Sequence, residues 1–206
     1  NANDNSVSVT DIKQRKVLET LNAALYPDSR EGSTTNSVAL SADEKILYIG
    51  NADNNCLAVF DVSKPGNSIA KGFIPVGWYP TCVRVVNNKI FVAKGKGFNS
   101  IANAEYDPFK THSKICYQTG DNDAWYIGGL FKGTLSIINI PTEEELSVYS
   151  QQVYKNTPYN KNKELESAGE KNNPIPEKVG DSSPIKYGFY IIKENRTYDQ
   201  VLGDMP

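Results

Sequence analysis

Near one end of the chain stands Lys193-Glu194-Asn195-Arg196-Thr197-Tyr198-Asp199. A carboxylate followed by an amide oxygen is a pair of hard oxygen donors, suited to a divalent cation. The run before it, Ile185-Lys186-Tyr187-Gly188-Phe189-Tyr190-Ile191-Ile192-Lys193, is mostly apolar without strict alternation. Such a run predicts a strand of an α/β sheet that is covered on both faces. Ligand-binding groups of those sheets gather just beyond the C-terminal ends of the strands, where Glu194 and Asn195 fall. The same two residues also suit a plainer role, capping the turn or helix that follows.

The other candidate chemistry lies in residues 97–132, which hold the single histidine, His112, with Glu105, Asp107, Asp121 and Asp123. Asp121-Asn122-Asp123 opens like a calcium loop, but Tyr126 stands where the sixth-position glycine belongs and Lys132 where the twelfth-position glutamate belongs. A solvated loop is the expectation, with Trp125 and Tyr126 packing it down. One histidine builds neither a metal centre nor a nucleophile site by itself, and it excludes histidine-rich redox centres. Cys56, Cys82 and Cys116 form no C-x-x-C pair, so zinc is not expected. Free buried thiols are the expectation, and one disulfide among the three is the alternative.

These groups need elements to hold them. With 206 residues and 39% hydrophobic content the chain supports one or two domains with lean cores. Frequent Tyr, Asn and Thr favour β-structure with many tight turns. A net charge of -2 gives no electrostatic basis for nucleic-acid binding. No apolar run approaches the roughly 18 residues of a membrane span, and no signal-peptide pattern is present.

Residues 1–12, NANDNSVSVTDI, align without a gap on residues 51–62, NADNNCLAVFDV. Each is a polar turn followed by an alternating strand that ends at an aspartate, Asp11 or Asp61, placed to cap the next turn. The stretches before them repeat too. Ser37–Leu40, a turn, and Ile46–Ile49 read as a hairpin, and so do Cys82–Val86, a shorter turn, and Ile90–Ala93, with Ile90-Phe91-Val92-Ala93 on Leu47-Tyr48-Ile49-Gly50. The strand completing this third copy follows only at Gly133–Ile140, after the insertion 97–132. Units of about 40–50 residues that supply about four short strands each are the pattern of propeller blades, which bury their faces on one another. Residues 1–140 supply two to three blades, fewer than the roughly four a closed ring needs, so partner blades are expected. A β-sandwich is the alternative.

After Pro141 a short helix is predicted, with Thr142 and Glu145 as a capping box and Leu146, Tyr149 and Val153 on one apolar face. Residues 155–184 are rich in Lys, Asn, Glu and Pro and read as a linker. The expected organisation is therefore blades over 1–140, helix and linker over 141–184, and the start of another domain over 185–206.

Asn5-Ser6-Val7-Ser8-Val9-Thr10-Asp11 and Leu47-Tyr48-Ile49-Gly50-Asn51 resemble YVTN-type β-propeller repeats. Ile191-Ile192-Lys193-Glu194-Asn195-Arg196-Thr197-Tyr198-Asp199-Gln200-Val201-Leu202-Gly203-Asp204 resembles the opening motif of the phosphoesterase family that includes phospholipase C and acid phosphatase relatives. Residues 77–81 and 126–135 are similar to stretches of bacterial proteins that fuse the two. The resemblance implies a seven-bladed propeller and an alkaline-phosphatase-like α/β domain, of which this chain would be a fragment, inactive alone. It implies a periplasmic or secreted metal-dependent phosphoric ester hydrolase in which Glu194 and Asn195 bind a divalent metal ion. The partners implied are the remainder of the propeller and a phosphoester substrate. A non-catalytic propeller that serves as a binding module is the alternative.

Overall fold

The computed structural model describes residues 1–29, 31–98, 131–157, 173–176, 180–192, 194 and 198–202. The chain divides into two compact units, Asn1–Lys155 with Thr197–Pro206, and Asn156–Arg196.

The first unit is mainly β, with three antiparallel sheets. Sheet 1 pairs β1 (Ser6–Asp11) with β2 (Lys16–Asn22). Sheet 2 has the order β3 (Thr35–Leu40), β4 (Ile46–Asn51), β5 (Cys56–Asp61), β6 (Ile69–Pro75). Sheet 3 has the order β7 (Pro80–Val86), β8 (Lys89–Lys94), β9 (Thr134–Asn139). The insertion between β8 and β9 falls almost wholly outside the described residues. The repeat predicts these strands because each hairpin carries its own turn chemistry. Asp11 accepts a hydrogen bond from the Gln14 N–H at 2.8 Å, and Asp61 accepts one from Ser63 at 2.9 Å. In the β3–β4 turn Ser41 donates to Asp43 at 2.7 Å, and Glu44 takes a left-handed φ of 56°.

Strand β5 shows how the sheets stack. Its side chains alternate between two cores, as the period of a strand requires. Leu57 and Val59 join Tyr48, Val83, Ile90 and Val92 in a cluster shared with sheet 3. Ala58 and Phe60 join Leu47, Ile49 and Leu21 in a cluster shared with sheet 1. Sheet 2 is thus covered on both faces, and each large aliphatic side chain buried there contributes about 1.5–3 kcal/mol.

The helix α1 (Glu143–Asn156) forms as its capping box predicts. The Thr142 N–H donates to Glu145 Oε2 at 2.9 Å, and the Glu145 N–H donates back to Thr142 Oγ1 at 3.2 Å. Leu146 is buried in the core shared with sheet 3, where Tyr149 packs on it, and Val153 is buried in a separate cluster with Leu25 and Cys56. The helix lies against the outer strand of sheet 2. Ser150 Oγ accepts the Phe73 N–H at 2.9 Å, which satisfies a donor on an otherwise open strand edge. This approach requires Gly72, at φ 146°, because a Cβ there would collide with Ser150 Oγ.

Beyond Asn156, the last residue of α1, the described part of the second unit holds neither helix nor strand. Residues 185–192, for which a strand is expected, belong to no sheet, and Tyr187, Phe189, Tyr190 and Ile191 are exposed. Apolarity favours a buried strand only where neighbouring strands supply the ladder, and none lies beside this run among the described residues.

Candidate functional site

Glu194 is exposed, and Asn195 lies outside the described residues. The chemistry of the pair suits a hard divalent cation, but two oxygen donors make one corner of a coordination shell that needs about six. His112, Glu105, Asp107, Asp121, Asp123, Trp125, Tyr126 and Cys116 also lie outside the described residues. No group of three metal-binding side chains occurs among the described residues. Cys56 is buried and Cys82 half-buried, both as free thiols, and burial pushes the Cys56 thiol up to about 12. Cys56 is therefore an inert thiol at neutral pH.

The structure brings other polar groups together at the strand ends where one sheet meets the next. Asn5 and Asn55 occupy matching places in the repeat, each in the left-handed region just before a strand, at φ 51° and 53°. Asn5 Oδ1 accepts the Ser33 N–H at 2.7 Å, close before β3. Asn55 Oδ1 accepts the Tyr79 N–H at 2.9 Å, directly before β7. Each asparagine thus ties one sheet to the first strand of the following sheet. Farther along this junction the Ser37 hydroxyl accepts the Val83 N–H at 3.0 Å, and Asn36 Nδ2 donates to the Pro80 carbonyl at 3.0 Å.

A second set of matching positions diverges. In sheet 2 the register pairs Thr35 with Asn51 and Asn51 with Cys56. Asn51 is fully buried and its amide is satisfied at both ends. Its Nδ2 donates to the Ala23 carbonyl at 2.6 Å, and its Oδ1 accepts the Thr35 hydroxyl at 2.9 Å. In sheet 3 the same register pairs Pro80 with Lys94 and Lys94 with Thr134. Lys94 is only 7% exposed, and its ammonium donates to Ser136 Oγ at 2.7 Å. Gly77 lets it in, since a Cβ there would lie 2.9 Å from Lys94 Nζ. Thr134 Oγ1 is buried with no hydrogen-bond partner. The alignment of Ile90–Ala93 on Leu47–Gly50 carries one residue further to set Lys94 on Asn51, and that substitution is the signal in the sequence for this corner.

At the opposite end of the sheets, an apolar cleft of 480 Å³ opens between sheets 1 and 2, lined by Val7, Val9, Leu40, Leu47 and Val62. Glu19 reaches its rim, but both carboxylate oxygens are used by the Gly66 N–H, the Ser68 N–H and the Ser68 hydroxyl at 2.6–3.0 Å. The Ser68 bonds hold the Glu19 carboxyl below its ordinary range. Glu19 is a clasp between sheets, not a free acid.

No family model matches the chain, and no curated protein matches it. Among solved structures, a chain of Kuenenia stuttgartiensis hydrazine synthase is similar over 44% of this chain, at 22% identity and a TM-score of 0.36. The match spans 23% of that chain.

Proposed function

We propose that the first unit is a run of blades from a β-propeller, seven-bladed as a whole ring, and that residue 185 opens a metal-dependent phosphoric ester hydrolase domain. The blade reading is supported by a correspondence of faces. By register, Tyr48, Leu57 and Val59 of sheet 2 match Phe91, Leu135 and Ile137 of sheet 3. Leu57 and Val59 are 0% and 3% exposed beneath sheet 3, whereas Leu135 and Ile137 are 58% and 57% exposed. The occupant that fits this apolar face is a further sheet of the same repeat, presenting small and branched side chains as Val83 and Val92 do to sheet 2. The outward side of sheet 1, with Ser8, Thr20 and Asn22, is polar by contrast.

The enzymatic reading is carried by the Glu194-Asn195-Arg196-Thr197 motif, placed after an apolar run and a polar linker. In it Glu194 and Asn195 would hold a divalent cation, which would supply charge stabilisation to the phosphoryl oxygens. The test is metal-dependent hydrolysis of p-nitrophenyl phosphate by the full-length protein and by Glu194→Ala. The expected loss is about 100-fold or more, and equal rates would remove the role given to Glu194. The alternative reading is a non-catalytic propeller that serves as a binding module. Absence of hydrolysis with every divalent metal tried would select that second reading.

A further inference from the structure

Lys94 closes β8 at the point where the chain leaves sheet 3 for the insertion. Side chains paired across an antiparallel ladder share a face, and so do residues two apart on one strand. Lys94, Thr134 and Ser136 therefore lie on one face, the face that carries Val92 and turns toward sheet 2. A buried ammonium has three donors to satisfy and a charge to balance. The one bond shown for it goes to the Ser136 hydroxyl, a neutral group. Among the described residues the ion pairs are Lys45–Asp43 and Lys71–Glu143, so no carboxylate balances Lys94. Thr134 Oγ1, its cross-strand neighbour, is buried and unpaired. A second cation, Lys96, stands over the Tyr79 ring at 4.4 Å. The matching corner of sheet 2 shows that this architecture can close itself with an amide and a hydroxyl. Sheet 3 instead leaves a positive charge and an unpaired hydroxyl on two residues paired across the ladder.

We propose that this corner is a binding site for a small oxyanion, whose oxygens accept from the Lys94 ammonium and the Thr134 hydroxyl while Ser136 holds Lys94 in place. The ligand class is a phosphate, sulfate or carboxylate group. Whether the group is tetrahedral or planar is read by the choice of probe.

The experiment is calorimetric titration of the protein with inorganic phosphate, sulfate and acetate at low ionic strength, repeated on Lys94→Met and Thr134→Val. Saturable one-site binding of at least one probe is expected. Lys94→Met should weaken it about tenfold or more, and Thr134→Val, which keeps the side-chain shape, about threefold to tenfold. If Lys94→Met fails to fold, the Thr134→Val titration decides alone. Absence of saturable binding by the wild type overturns the proposal, and so does unchanged affinity in the variants that fold.

Discussion

Sheets 2 and 3 are built on the same register yet solve the same corner differently. In sheet 2 the buried polar group is Asn51, neutral and bonded at both ends of its amide. In sheet 3 the position belongs to Lys94, charged and bonded to a single hydroxyl, beside an unpaired threonine. A repeat that needs only stability has no reason to exchange a closed knot for an open one, because a half-satisfied buried network costs more than an apolar contact. The two sheets differ in their faces as well. Sheet 2 is covered on both sides, whereas sheet 3 is covered on one. Both differences fall at sheet 3, where the insertion also leaves.

The comparison of faces gives the largest expected effect. Leu57→Ala should cost about 3 kcal/mol in urea unfolding, and its counterpart Leu135→Ala under about 0.5 kcal/mol. A similar loss at both would mean that a partner sheet already covers Leu135 in solution. Next comes the helix on sheet 2, which has no match on sheet 3 among the described residues. Gly72→Ala brings a Cβ onto Ser150 and strains a backbone at φ 146°, so a loss of about 1–3 kcal/mol is expected. The double variant with Ser150→Gly should recover part of it.

Smaller effects follow at the rim. Glu19→Gln should destabilise by under about 1 kcal/mol, given its exposure to solvent. The folded protein holds this carboxyl below its ordinary 4.5, so its contribution is full above that pH and fades as the pH falls through the lowered value. Wild-type and Glu19→Gln unfolding curves should therefore differ at pH 6, and the difference should shrink as the pH falls below 4.5. The smallest effect is chemical. In the folded protein Cys56 should react with a thiol reagent about 100-fold more slowly than Cys82, measured by mass spectrometry of the labelled peptides.

Much of this architecture is legible in the sequence because it repeats and because its turns are local. The gapless match of residues 1–12 on 51–62 sets the strands, and Thr142 with Glu145 sets the start of the helix. Other features depend on partners far along the chain. The docking of α1 rests on Gly72 meeting Ser150, and nothing near either residue announces the other. The roles of Asn5 and Asn55 as ties are hidden for the same reason, since their bonds reach Ser33 and Tyr79. Residues 185–192 show the limit of apolarity as a signal, because a strand also needs a ladder. Of the proposed metal pair, Glu194 is placed at the surface, and Asn195 falls outside the described residues.

The contrast between the closed and the open corner is tested most directly by one pair of unfolding measurements in oxyanion-free buffer. Asn51→Leu leaves the Ala23 carbonyl and the Thr35 hydroxyl buried without partners and should cost about 2–4 kcal/mol. Lys94→Met removes an unbalanced charge and keeps the aliphatic packing, so it should be neutral within about 1 kcal/mol, or stabilising. Equal and large losses at both positions would contradict the account, because they would mean that the Lys94 corner is as closed as that of Asn51.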